Sequence, residues 1–119
     1  NLQAAADRLS VRFPNGSTDA APEDMDAAFS FAEGVAVCSG LRVLVGGHAD
    51  SRGDETQNLI LSWERAEAVI DAIAAAGHDI TIYEPVGYGS RRLLIEEGAD
   101  AEAEALNRRV EFSVVSQRQ

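Results

Sequence analysis

A chain of 119 residues, 45% apolar and 25% charged, is long enough to bury one core without staples, and a single domain over 1–119 is expected. Its formal net charge of -10 repels phosphate, which argues against nucleic acid and anionic membrane surfaces as partners. No apolar run approaches the roughly 18 residues of a membrane-spanning helix, and the one cysteine, Cys38, excludes an internal disulfide and a cysteine-built zinc site.

Residues 1–8 carry no strand signal and are expected to be linker or N-terminal extension. The chain opens at Asn1, without Met and without a basic, apolar leader, so a piece of a longer, membrane-anchored product is expected. Leu9–Phe13 alternates apolar and polar residues, a short strand, and Pro14-Asn15-Gly16-Ser17 turns out of it. Pro22-Glu23-Asp24 suits the first turn of a helix: proline is tolerated there and acids complement the positive dipole end. Met25, Ala28, Phe29 and Ala32 follow at helical steps, and Ser39-Gly40 stops the helix. Cys38, near that end, is expected to be small and buried.

Leu41–Val45 reads as a buried strand. The glycine pair Gly46-Gly47 behind it suggests a place where backbone approaches something closely. A long helix is predicted from about Glu55 to Ala76, with Asp54 as cap and Gly77 as stop. Leu59, Trp63, Ala66, Ile70 and Ile73 form its apolar stripe, so Trp63 is expected to be core or half-buried rather than a platform for a sugar. Ile80–Tyr83 reads as a strand whose far end, with Pro85, Gly87 and Gly89, is irregular. Residues 96–106 read as loop plus a short helix. Val110, Phe112 and Val114 alternate with Arg109, Glu111 and Ser113, a final half-buried strand. Strands separated by helices give an α+β domain, a sheet with helices packed on it.

The stretch Gly46–Ala66 carries the chemistry. Asp50 falls in the loop between the strand and the long helix, and Asn58, Leu61, Ser62 and Arg65 share one face of that helix. An acid in the loop and an arginine two turns along can border one pocket. An ammonium would suit Asp50, and a carboxylate would suit the two-pronged guanidinium of Arg65. Together they would fit a zwitterionic amino-acid head group. Spacing alone leaves a plainer arrangement open, in which Asp50 and Arg65 pair with each other.

These residues carry a resemblance. Gly47-His48-Ala49-Asp50, Gly53, Asn58, Leu61-Ser62, Arg65-Ala66, Val69, Gly77, Gly87-Tyr88-Gly89 and Asn107-Arg108-Arg109-Val110-Glu111 resemble, in order and spacing across 41–115, the OmpA-like peptidoglycan-binding domain. The resemblance implies a β-α-β-α-β-(α)-β two-layer sandwich: a mixed four-stranded sheet with helices on one side. It also implies non-covalent binding of peptidoglycan through the meso-diaminopimelate of its peptide stem, in the periplasm, as the wall anchor of an envelope protein. Asp50 and Arg65 take the positions that hold diaminopimelate. Asn58, Ala49, Leu61 and Arg108 complete the ligand-binding set, with no catalytic residue, metal or cofactor. Four positions depart from the family pattern: Pro14 for aspartate, Ala49 for threonine, Leu93 for proline and Glu104 for arginine.

Other readings compete for the same residues. Arg52-Gly53-Asp54 has the form of an adhesion tripeptide, but Gly53 has use as a turn residue and Asp54 as a cap. His48, Asp50 and Asp54 could be metal ligands, though the other histidine, His78, lies beyond the far end of the long helix. Hydrolase chemistry would need an activated nucleophile or a tuned acid pair, and the acids here are spread along helix faces and loops. Gly87-Tyr88-Gly89 lacks the third glycine of a dinucleotide loop. The main alternative is a protein–protein interaction module of an envelope assembly, with wall binding weakened by the departures.

Overall fold

The computed structural model describes residues 2–94 and 100–116. In chain order it contains α1 (Leu2–Arg8), β1 (Ser10–Arg12), α2 (Pro22–Ala36), β2 (Leu41–Gly47), α3 (Glu55–Ala75), β3 (Tyr83–Gly87), α4 (Ala101–Glu104) running into a 3-10 turn (Ala105–Asn107), and β4 (Arg109–Ser116). The sheet order is β1-β4-β2-β3. β4 runs antiparallel to both β1 and β2, and β2 and β3 are parallel, joined through α3. This is the mixed, four-stranded α+β sheet that the resemblance implies.

Alternation in the strands sets the layers. Val11, Val43, Val45, Val110 and Phe112 are buried with Met25, Ala28, Phe31, Ala32 and Val35 of α2 and Ala66, Val69, Ile70 and Ile73 of α3. Phe31 meets Phe112 edge to face at 5.3 Å between centroids. α2 begins at Pro22, and its first-turn Asp24 accepts from Arg12 Nε at 2.9 Å, Nη2 at 3.1 Å and the backbone N–H at 3.0 Å. The helix start is thereby tied to β1.

Four expectations change. Residues 2–8 form a helix that packs on the sheet, and its Ala6 is fully buried. The strand read at Ile80–Tyr83 begins at Tyr83 and runs through Pro85 to Gly87. Asp79 Oδ1 accepts from the Thr81 N–H at 2.9 Å, and Tyr83 N–H donates to Ile80 at 3.0 Å, so 79–82 close into a turn. Pro85 is tolerated because β3 is an edge strand. On α3 the buried face runs Asn58, Ser62, Arg65, Ala66, Val69, Ile70, Ile73, while Trp63 is 43% exposed. The polar half of the helix is turned inward at its N-terminal end. Cys38 lies past the end of α2 as expected, but exposed. Of the stretch 96–106, residues 96–99 lie outside the described residues, and the remainder is α4 with its 3-10 turn.

Candidate ligand-binding site

The site sits where β2 passes into α3. A Cβ on Gly47 would lie 1.8 Å from the Ser62 carbonyl oxygen, so the strand end and the helix backbone touch directly. Beyond it the chain stays held: His48 N–H donates to Arg109 at 2.8 Å and Ala49 N–H to Gly89 at 2.8 Å. Gly53 takes a φ of +88°, a left-handed turn that glycine adopts freely. Asp54 then caps α3, accepting from Gln57 N–H at 3.0 Å. From the helix, Asn58 Nδ2 reaches back to the carbonyls of Arg52 at 3.0 Å and Asp50 at 3.5 Å.

The result is a cavity of about 320 Å3. Asp50, Arg65, Asn58, Ala49, Leu61 and Arg108 all line it. So do Asn15 and Gly16, from the turn after β1, and Arg52 and Gly53.

Asp50 and Arg65 share the cavity but are not partners. Asp50 accepts from Arg52 Nη2 at 2.9 Å and backbone N–H at 3.1 Å, and from Arg108 Nη1 at 3.2 Å. Burial works against the charge of Asp50, yet the bonds from Arg52 and Arg108 outweigh it and hold the carboxyl below its usual range. Arg65 is 0% exposed. It donates from Nε to Ser17 O at 2.8 Å, from Nη1 to His48 O at 3.0 Å and from Nη2 to Pro14 O at 3.1 Å, with Phe13 beneath it at 5.2 Å. Three of an arginine's five N–H donors therefore stitch the turn after β1 to the end of β2. Burial, with Arg108 nearby, lowers the Arg65 guanidinium to about 10. Arg65 is thus a wall of positive charge rather than a free two-pronged grip. Proline at position 14, a departure from the family pattern, serves it through its carbonyl.

Two participants were not legible as such. Arg52, read as part of a tripeptide, is the direct partner of Asp50; its place two residues after an acid in a short loop was the available signal. Glu104 is buried, and accepts from the Ser51 N–H at 3.3 Å, the Ser51 hydroxyl, and Asn107 Nδ2 at 2.8 Å. These bonds, the Ser51 hydroxyl foremost, hold its carboxyl below the usual range against the cost of burial.

A second polar network abuts the site. His48 is buried, stacks on Tyr88 at 5.0 Å, and places Nε2 3.5 Å from Glu111 Oε1. Burial lowers the His48 pKa despite Glu111, leaving a neutral ring. Glu111 also accepts from Arg109 Nε at 2.7 Å, and the bond from His48, with that from Arg109, pushes its carboxyl down to about 2. His48, Asp50 and Asp54 point to three different tasks: a ring stack, an arginine pair and a helix cap.

A mixed sheet in the order β1-β4-β2-β3, helices packed on it, and a charged cavity where β2 meets the long helix is the arrangement of an OmpA-like domain. The chain belongs to the OmpA family, which matches it over residues 12–108. It is 32% identical over 117 residues to the peptidoglycan-binding protein ArfA of Mycobacterium tuberculosis, covering 96% of this chain and 36% of ArfA. It is 37% identical over 100 residues to the peptidoglycan-associated lipoprotein of Pseudomonas aeruginosa, covering 84% of this chain and 58% of the lipoprotein. The crystal structure of the peptidoglycan-associated lipoprotein from Burkholderia pseudomallei is similar with a TM-score of 0.83 at 27% identity, covering 91% of each chain. The C-terminal domain of Helicobacter pylori MotB shares the fold, with a TM-score of 0.78 at 19% identity, covering 90% of this chain and 84% of that one. The chain spans 36% of the length of ArfA and 58% of the lipoprotein.

Proposed function

We propose that the domain binds peptidoglycan non-covalently, through the meso-diaminopimelate of the peptide stem, and so anchors an envelope protein to the wall from the periplasm. The names of its relatives support wall binding. The observation that carries the finer reading is Asp50: a buried carboxylate facing a cavity whose remaining charges are arginines. The free end of diaminopimelate is a zwitterion. Its ammonium takes the oxygens of Asp50 now held by Arg52, the more exposed of the two partners. Its carboxylate lies against Arg108 and the positive wall of Arg65. With three donors committed to backbone carbonyls, Arg65 contributes mainly through its field.

Co-sedimentation with purified sacculi tests this. Wild type is expected to pellet with the wall, and Asp50→Ala to stay in the supernatant while keeping its fold. A wild-type domain that stays in the supernatant would reject wall binding and favour the interaction-module alternative. An Asp50→Ala variant that pellets normally would move the site elsewhere.

A further inference from the structure

Glu104 is an acid at 1% exposure, outside the cavity lining. Among the described residues no arginine or lysine lies within ion-pair distance of it. A buried carboxylate is costly unless hydrogen bonds fill its lone pairs. Two of its three hydrogen bonds come from one residue, Ser51, which is next to Asp50 and 53 positions away from Glu104 in sequence. Asn107 supplies the third and also accepts from Leu94 N–H at 2.7 Å, which fixes this end of the segment. The following residue, Arg108, bonds Asp50 directly and anchors on Phe13 O at 3.1 Å. One short segment, 104–108, thus reaches the Asp50 loop twice, through Ser51 with an anion and through Asp50 itself with a cation.

We propose that Glu104 is a positioning residue for Asp50: through Ser51 it fixes the loop so that the Asp50 carboxylate is presented to the cavity in a preset geometry. The ligand part of this rests on the reading of the cavity as the stem-peptide site. Arg52 supplies the reason a tether is needed. Its side chain is 50% exposed and pairs with a buried Asp50, so one of the two arginines that hold the carboxylate stands half in solvent and fixes it weakly. The Ser51–Glu104 bonds add a buried constraint on the same loop. Without them the loop gains alternatives, and a ligand must first select the competent one. Where the family pattern has an arginine, this chain has placed an anion whose target is Ser51 of the loop, through its hydroxyl and its N–H.

Two measurements on Glu104→Ala and Ser51→Ala decide it. The first is amide hydrogen exchange at Ser51 in the ligand-free domain, expected to quicken about tenfold or more in Glu104→Ala, which removes both acceptor oxygens, while core amides of β2 and β4 stay unchanged. The second is calorimetry with a meso-diaminopimelate stem peptide. Each variant is expected to weaken binding about tenfold with Asp50 present, and to add nothing in an Asp50→Asn background, because the effect runs through Asp50. Unchanged Ser51 exchange overturns the tether. Equal losses in both backgrounds overturn its link to Asp50 and reduce Glu104 to a general structural role. If Glu104→Ala does not fold, Ser51→Ala carries the same cycle. If wild type does not bind the peptide, the stem-peptide reading fails by itself, and exchange at Ser51 still decides whether Glu104 holds the loop.

Discussion

Asp50 carries its charge between two arginines, and Arg65 carries its own beneath three backbone carbonyls, so the two residues are open to different experiments. Arg65→Ala would leave the carbonyls of Ser17 and His48 without their donor, and Pro14 O with the Ser17 N–H alone. A loss of about 2–4 kcal/mol in chemical denaturation is expected, with Arg65→Lys recovering little because a point charge cannot span three acceptors. A loss under about 1 kcal/mol would show that the carbonyls find other partners. Arg65→Ala is therefore a poor probe of binding. Asp54→Ala should cost about 0.5–2 kcal/mol through the lost cap and leave sedimentation with sacculi intact; the reverse pattern would move Asp54 from the cap into the site. The positions of Asp50, Asn58 and Arg65 were legible because loop and helix spacing places them together. Their bonding was not. Arg65 meets partners 48 and 51 residues away, and no local pattern encodes such pairs.

Helices and strands were read where composition and period agree, as in α2, β2, α3 and β4. The misreadings have local causes. In 79–82 an aspartate side chain competes for the backbone and makes a turn from what looks like a strand, and the real strand admits Pro85 only because it lies at the edge. On α3, an apolar stripe through Leu59 and Trp63 was the obvious inward face. The bonds of Asn58, Ser62 and Arg65 turn the other face in at the helix start, and the apolar residues take over from Ala66 onward. The glycine pair was a better guide. Gly47→Ala is expected to destabilise by about 3 kcal/mol or more, because the new methyl would meet the Ser62 carbonyl of a packed helix rather than a side chain that can move. Thermal and urea unfolding would check this, and a near-neutral Gly47→Ala would mean that α3 can slide away from β2.

At the scale of the molecule, the domain ties its site together with buried charge, and this gives it a pH signature. Glu111 is pushed down to about 2 from 4.5, and Asp50 and Glu104 also sit below their usual range. A depressed carboxyl contributes stability that is full above its unfolded value and lost as pH falls toward the folded one, here from 4.5 down to about 2. His48 acts in the same direction: its neutral form is favoured by burial, so the unfolded chain binds a proton first as pH falls below 6.5. The urea midpoint is thus expected to decline from pH 6.5 and fall steeply below pH 4.5, with a shallower fall for Glu111→Gln; a midpoint flat to about pH 3 would contradict the network. The mixed four-stranded sheet and its helix layer were legible in outline because the OmpA-like motifs fix the second half of the chain. The buried α1 was not, because a seven-residue helix lends its core a single Ala6. Recognition of a zwitterion by the Asp50 cavity is tested by calorimetry of the wild-type domain with two stem peptides, one containing meso-diaminopimelate and one containing lysine, which keeps the ammonium but lacks the distal carboxylate. A preference for diaminopimelate of about tenfold to a hundredfold is expected, with loss of both bindings in Asp50→Ala. Equal affinity for the two peptides, or undiminished binding by Asp50→Ala, would contradict it.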